Sequence, residues 1–176
     1  DRAFEKEDYI YDYDEFKLNG IVIDKNCLVL PGSGVDLDYF NKGKYQHDIE
    51  KDSLYEHRKT GQFTFLMVAR LLWEKGVQEY IDAIRLIHKR YPDVKFQYLG
   101  FIDVENHSSV SREVLDSWVE EGLIEFLGST DDVRPYLLAC DCIVLPSFYR
   151  EGTPRSLLEA AAMSVPIITT DWIGCR

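Results

Sequence analysis

Two stretches of this 176-residue chain put charge where a buried strand gives way to a helix. The first is Arg70-Leu71-Leu72-Trp73-Glu74-Lys75-Gly76. Its two cations follow an apolar run, and Lys75 sits at or just before a helix start. A cation there opposes the helix dipole at a cost of about 0.3–1 kcal/mol, and makes sense when an anion is held beside it. The plainer alternative is a solvated loop in which Glu74 neutralises Lys75. The second stretch is Ser147-Phe148-Tyr149-Arg150-Glu151-Gly152-Thr153-Pro154-Arg155-Ser156-Leu157-Leu158-Glu159-Ala160. Thr153 suits an N-cap and Pro154 a first helical residue. Gly152 lets backbone amides approach a ligand. The helix start then offers N–H groups and a positive dipole end to a phosphate. Glu151 stands just before that helix, where an acidic residue also simply complements the dipole. Glu159 shares a side with Arg155. It faces either the rim of a pocket or an i,i+4 partner worth about 0.2–0.5 kcal/mol. A third, weaker signal is Pro31-Gly32-Ser33-Gly34-Val35-Asp36, whose glycines permit a tight turn or close ligand approach.

The elements that must position these groups alternate regularly from residue 62 onward. Apolar runs predict strands at 63–69, 94–99, 124–127, 142–145 and 166–170. Between them, helices are predicted at 76–91, 111–121, 131–139 and 154–163. The first helix has an apolar stripe of Val77, Tyr80, Ile81, Ile84, Ile87 and Tyr91, and the last one of Leu157, Leu158, Ala161 and Ala162. Pro135 belongs in a first turn, where a missing N–H costs little. Ahead of this region, residues 1–20 permit an amphipathic helix closed by Asn19-Gly20, and 27–30 a short strand stopped by Pro31. Strands that read as continuous apolar runs are buried on both faces, so the expected fold class is α/β, a parallel sheet with helices on either side. Ligands of such sheets sit outside the carboxyl ends of the strands, which singles out loops 70–75, 100–110, 128–131, 146–153 and 171–176.

Thirty-one acidic residues against 20 basic ones give a formal charge of −11, the wrong sign for a general nucleic-acid surface. One small basic pocket for an anion is still compatible with it. No apolar run approaches the roughly 20 residues that span a bilayer. Asp1 reads as a cut end, and no secretory signal follows it. Cys27, Cys140, Cys142 and Cys175 lack zinc-ligand spacing and read as inert thiols of a reducing cytoplasm. His47, His57 and His88 read as surface or packing residues. Asp12-Tyr13-Asp14 falls in the expected amino-terminal helix and Asp36-Leu37-Asp38 in a loop, so neither pair reads as a metal-bridged site and no metal is expected.

Taken together and in order, the motifs at 31–36, 69–76, 124–128, 145–160 and 167–176 resemble the carboxyl-terminal domain of family 4 glycosyltransferases, retaining enzymes of the two-domain GT-B fold. The resemblance covers about residues 20–176, and the Glu-(seven residues)-Glu pair with its flanks is its most specific part. It implies a Rossmann-like half of a GT-B enzyme truncated in its closing helices, with 1–20 a leftover interdomain or amino-terminal segment and 21–176 the sugar-nucleotide-binding domain. It implies that Arg70 and Lys75 bind the donor diphosphate, that Glu151 contacts the donor sugar, and that Gly152, Thr153 and Pro154 present amides to the distal phosphate. Glu159 would accept the ribose hydroxyls. Phe126 and Leu127 would flank the base, and Gly34 would approach the donor. The implied substrate is a nucleoside-diphosphate sugar, with UDP the expected nucleotide, and there is no other cofactor. The acceptor domain would be a missing amino-terminal part of the same parent, which alone would touch a membrane. The parent would be cytoplasmic, at the inner face of the membrane, and similar to enzymes of capsule, O-antigen and lipid-linked oligosaccharide synthesis. Two alternatives stay open: a non-catalytic nucleotide-sugar-binding module, and half of a GT-B sugar-nucleotide epimerase. A receiver-type domain would need an acidic cluster where this chain has Arg70 and Lys75.

Overall fold

A computed structural model describes residues 16–21, 34–46, 61–150 and 152–175. Their strands are β1 (Thr64–Val68), β2 (Lys95–Leu99), β3 (Glu125–Phe126), β4 (Cys142–Leu145) and β5 (Ile167–Thr169). The helices are α1 (Lys42–Gln46), α2 (Val77–His88), α3 (Arg112–Glu120), α4 (Arg134–Ala139) and α5 (Arg155–Ala162), with a 3-10 turn at Trp73–Lys75. The strands form one sheet in the order β3-β2-β1-β4-β5, and every pairing is parallel. Leu66 and Met67, neighbours on the central strand, point to opposite faces and are both fully buried, so both faces carry core. On that strand Phe65 pairs with Phe96 in register, and their rings stack with centroids 5.3 Å apart.

Local signals account for most element ends. Ser111 caps α3 by accepting from the Val114 amide, and Pro135 does lie in the first turn of α4. Residues 16–18 are helical, and the chain then stops as the Asn-Gly signal implies. The Gly20 and Ile21 amides donate back to the Lys17 and Phe16 carbonyls (3.1 and 2.8 Å). The earlier part of that expected helix, the strand at 27–30, residues 31–33, His47 and His57 lie outside the described residues.

Three expectations need correction. Helix α2 ends at His88, and Tyr91 is 52% exposed rather than part of the stripe. Pro92 is the reason, since a residue before proline is pushed out of the α region. Helix α5 starts one residue late: its N-cap is Pro154 in extended conformation, with no side-chain cap, so Thr153 does not cap it. Its buried stripe is Leu157 and Ala160, continued by Met163, whereas Ala161 faces solvent. Buried position by position, the helix is turned so that Glu159 sits nearer the interior than the apolar pattern suggested.

The cysteines behave as small buried residues. Cys140, Cys142 and Cys175 are buried, and burial pushes the Cys142 thiol up, away from a reactive thiolate. Cys27 lies outside the described residues. His88 packs its ring edge-on against Phe96 and meets the Val94 carbonyl at 3.2 Å.

Candidate functional site

A cavity of about 990 Å³ opens at the carboxyl ends of β1 and β2. Val68, Ala69 and Arg70 form one part of its floor, and Leu99, Gly100 and Phe101 another. Two further walls come from Gly34, Val35, Asp36, Tyr39 and Phe40 and from Ser129, Thr130, Asp131 and Val133, and the start of α5 closes the ring with Arg155, Ser156 and Glu159. The floor depends on a glycine. A Cβ on Gly100 would lie 1.8 Å from the Ala69 carbonyl oxygen, so only glycine lets the ends of β1 and β2 meet here.

Arg70 enters the cavity from the end of β1. Its Nη1 donates to Asp103 Oδ2 at 2.9 Å, and its backbone carbonyl accepts from the Tyr98 hydroxyl at 3.2 Å. Asp103 thus aims the guanidinium while leaving 40% of that side chain exposed. Lys75 takes a different position. It ends the 3-10 turn, is only 7% exposed, and lies with Nζ 4.7 Å from the Tyr149 ring centroid. The loop after β4 is fastened to the same turn. The Phe148 amide and the Ser147 hydroxyl both donate to the Glu74 carbonyl, at 2.9 and 3.3 Å.

Glu159 lines the cavity with a side chain 14% exposed, 3.7 Å from Arg155 Nη2. Burial pushes its carboxyl above the usual carboxylate range, while Arg155 pulls it down more weakly. A carboxyl whose pKa is raised by folding favours the protonated fold. Its contribution is fully present below the ordinary carboxylate value and is lost as pH rises through the raised one. We therefore expect Glu159→Gln to have a higher melting temperature than the wild type at neutral pH. The difference should close below about pH 4.3, the ordinary glutamate value. Melting curves of both proteins against pH check this, and a constant difference would contradict it.

The residues singled out from sequence divide as follows. Arg70, Glu159 and Gly34 line the cavity, and Gly34 does so with a left-handed φ of 67°. Lys75, Gly152, Thr153 and Pro154 belong to the same end of the sheet but stand outside the lining. With proline as its N-cap, α5 leaves its first-turn amides without a side-chain acceptor from that cap. Phe126 and Leu127 are half-buried against the core and are not part of the lining, to which Ser129, Thr130 and Asp131 contribute instead. Glu151 lies outside the described residues. Sequence reasoning missed Asp103 and the wall residues Tyr39, Phe40 and Phe101, while Asp36 closes the 31–36 motif it had singled out. Loop 100–110 was flagged as a rim, but nothing in its spacing marks Asp103 as the partner of Arg70.

Residues 62–176 match the family of glycosyl transferases group 1. A curated relative is N,N'-diacetylbacillosaminyl-diphospho-undecaprenol alpha-1,3-N-acetylgalactosaminyltransferase of Campylobacter jejuni. It is 40% identical over 110 residues, covering 62% of this chain and 27% of that protein. The chain thus spans about a quarter of such a relative. Others bear names from teichuronic acid and capsular polysaccharide biosynthesis. Among solved structures, a glycosyltransferase from Rickettsia africae aligns with a TM-score of 0.71 and 22% identity, over 93% of this chain and 43% of that one. HepE of Anabaena, solved with UDP-glucose, aligns with a TM-score of 0.61 and 21% identity, over 80% and 38%. At these identities the structures speak for the fold, a Rossmann-like GT-B domain.

Proposed function

Because the chain belongs to the glycosyl transferases group 1 family, we propose that it is the donor-binding domain of a retaining glycosyltransferase that takes its sugar from a nucleoside diphosphate. The observation that carries this reading is the cavity at the carboxyl ends of β1 and β2, with an aimed cation, Arg70, and a half-buried carboxylate, Glu159, on one lining. Those two groups suit the two halves of a nucleotide sugar. Arg70 neutralises diphosphate, and ionised Glu159 accepts hydrogen bonds from ribose hydroxyls. The first-turn amides of α5 add donors for the distal phosphate. Glu151 contacts the donor sugar.

Catalysis in this reading is electrostatic. As the glycosidic bond breaks, negative charge grows on the departing diphosphate, and Arg70, Lys75 and the α5 dipole stabilise it without a metal. Acceptor groups come from an amino-terminal domain of a longer parent, a division supported by the fraction of the relatives that this chain spans. The acceptor is a saccharide or lipid-linked saccharide in bacterial surface polysaccharide synthesis, in line with the names those relatives carry. The isolated chain binds donor and does not turn it over.

Thermal-shift and calorimetric titration with UDP, GDP and ADP, then with their sugars, tests the reading. UDP at about 100 times its dissociation constant should stabilise the chain by about 2.7 kcal/mol. A binding heat with one nucleoside diphosphate is the expected result. No heat with any of them would overturn the assignment, and turnover by the chain alone would overturn the division of labour.

A further inference from the structure

The cavity has two walls that come from distant parts of the chain, segments 34–40 and 129–133, and one side chain outside the lining reaches a residue of each segment, Tyr39 and Asp132. Arg134 opens α4, where a cation opposes the helix dipole. Asp132 offsets that position. It accepts from Arg134 Nε at 2.8 Å and Nη2 at 2.7 Å, and from the Arg134 backbone amide at 3.0 Å. The guanidinium also lies over two rings, with its central carbon 3.6 Å from the Tyr39 ring centroid and 4.3 Å from that of Tyr45. Nη1 also donates to the Tyr39 carbonyl at 3.4 Å, and the Tyr45 hydroxyl reaches Asp132 at 3.4 Å.

We propose that Arg134 is a positioning residue that staples the 34–40 wall to the 129–133 wall and thereby holds the cavity at the width its nucleotide needs. The staple itself stands on the geometry above, and its effect on nucleotide rests on the donor-binding reading. Tyr39 lines the cavity, so the ring that receives the guanidinium on one face is part of the wall being held. Phe40, 8% exposed, is the other anchor of that wall, and α1 beyond it is only five residues long. The work needs arginine. A planar fork satisfies one carboxylate at two points while stacking on two rings, and an ammonium does neither.

Hydrogen exchange and UDP titration on the full chain test this with Arg134→Ala, Arg134→Lys and Tyr45→Leu. The Phe40 and Tyr45 amides, bonded to the Asp36 and Asn41 carbonyls, should exchange at least about tenfold faster in all three, while amides of β1 and α2 keep wild-type rates. The dissociation constant for UDP should rise about tenfold in both Arg134 variants, with less in Tyr45→Leu. Unchanged exchange at Phe40 and Tyr45 overturns the staple. Wild-type affinity in Arg134→Lys also overturns it, because charge alone would then suffice. A wild-type chain that ignores UDP overturns the donor-binding reading instead, and exchange alone then judges the staple. Should Arg134→Ala fail to fold, the Lys and Tyr45 variants carry the same comparison.

Discussion

Alanine at Lys75 or at Arg70 in the full-length parent is expected to lower turnover by roughly 10²-fold or more, the size of effect seen when one donor to developing charge is removed. On the donor-binding reading the two cations would act from different surroundings. Lys75 is 7% exposed and lies over the Tyr149 ring, so its charge acts through little water and is weakly screened. Arg70 is more open but already aimed by Asp103 at 2.9 Å, so little reorganisation is needed when a diphosphate arrives. The losses should fall on kcat more than on donor KM, because charge on the leaving diphosphate grows toward the transition state. Asp103→Asn should weaken the same step less, since it loosens the aim and keeps the cation. Steady-state transfer assays with saturating acceptor give kcat and KM separately. Lys75→Met controls for loss of the buried stem by keeping an apolar chain of similar length. Unchanged turnover in both Lys75→Ala and Arg70→Ala would remove these residues from the chemistry.

The second large effect is on folding. Gly76→Ala should destabilise the chain by about 3 kcal/mol or more, from a left-handed backbone costing about 1–2 kcal/mol and a steric clash costing about 1–3 kcal/mol. Gly76 has φ 81° and separates the 3-10 turn from α2. A Cβ there would lie 2.0 Å from the Pro146 carbonyl oxygen. That contact is backbone, so relief requires moving the loop after β4. The same loop carries Tyr149 over Lys75, so any folded Gly76→Ala should also lose activity in the parent. Gly122→Ala is the matched control: its φ is 72°, but nothing lies within 4 Å of the added carbon, so only the backbone cost of about 1–2 kcal/mol applies. Urea unfolding of both variants measures the difference, and equal losses would mean that Pro146 yields to the added methyl.

Much of the architecture was legible from local pattern. Strand β4 occupies 142–145 as read, and the other strands lie within their predicted runs. Burial on both faces accounts for the apolar runs of β1, β2 and β4, whereas the edge strands β3 and β5 hold no buried residue. The rim loops were legible too, once the sheet was parallel. The turn of α5 was harder. Leu157, Leu158, Ala161 and Ala162 read as an apolar side, yet of these only Leu157 is buried, and Ala160 and Met163 complete the buried stripe. Alanine is small enough to sit on either side, so the pattern there carries little information about rotation.

The Arg155–Glu159 pair was legible from its i,i+4 spacing, but charge partners distant in the chain were not. Arg70 and Asp103 are 33 residues apart, and Arg134 meets the Tyr39 carbonyl across 95. The order and type of residues by themselves determined a parallel α/β sheet and which of its ends would carry the cations, since burial and helix starts are properties of neighbours in the chain. Only the folded chain decided that Glu159 shares a cavity with Arg70, that Lys75 lies over the Tyr149 ring, and that Arg134 meets both Tyr39 and Asp132. Those are distances set by how the elements pack, and a linear string holds no record of them.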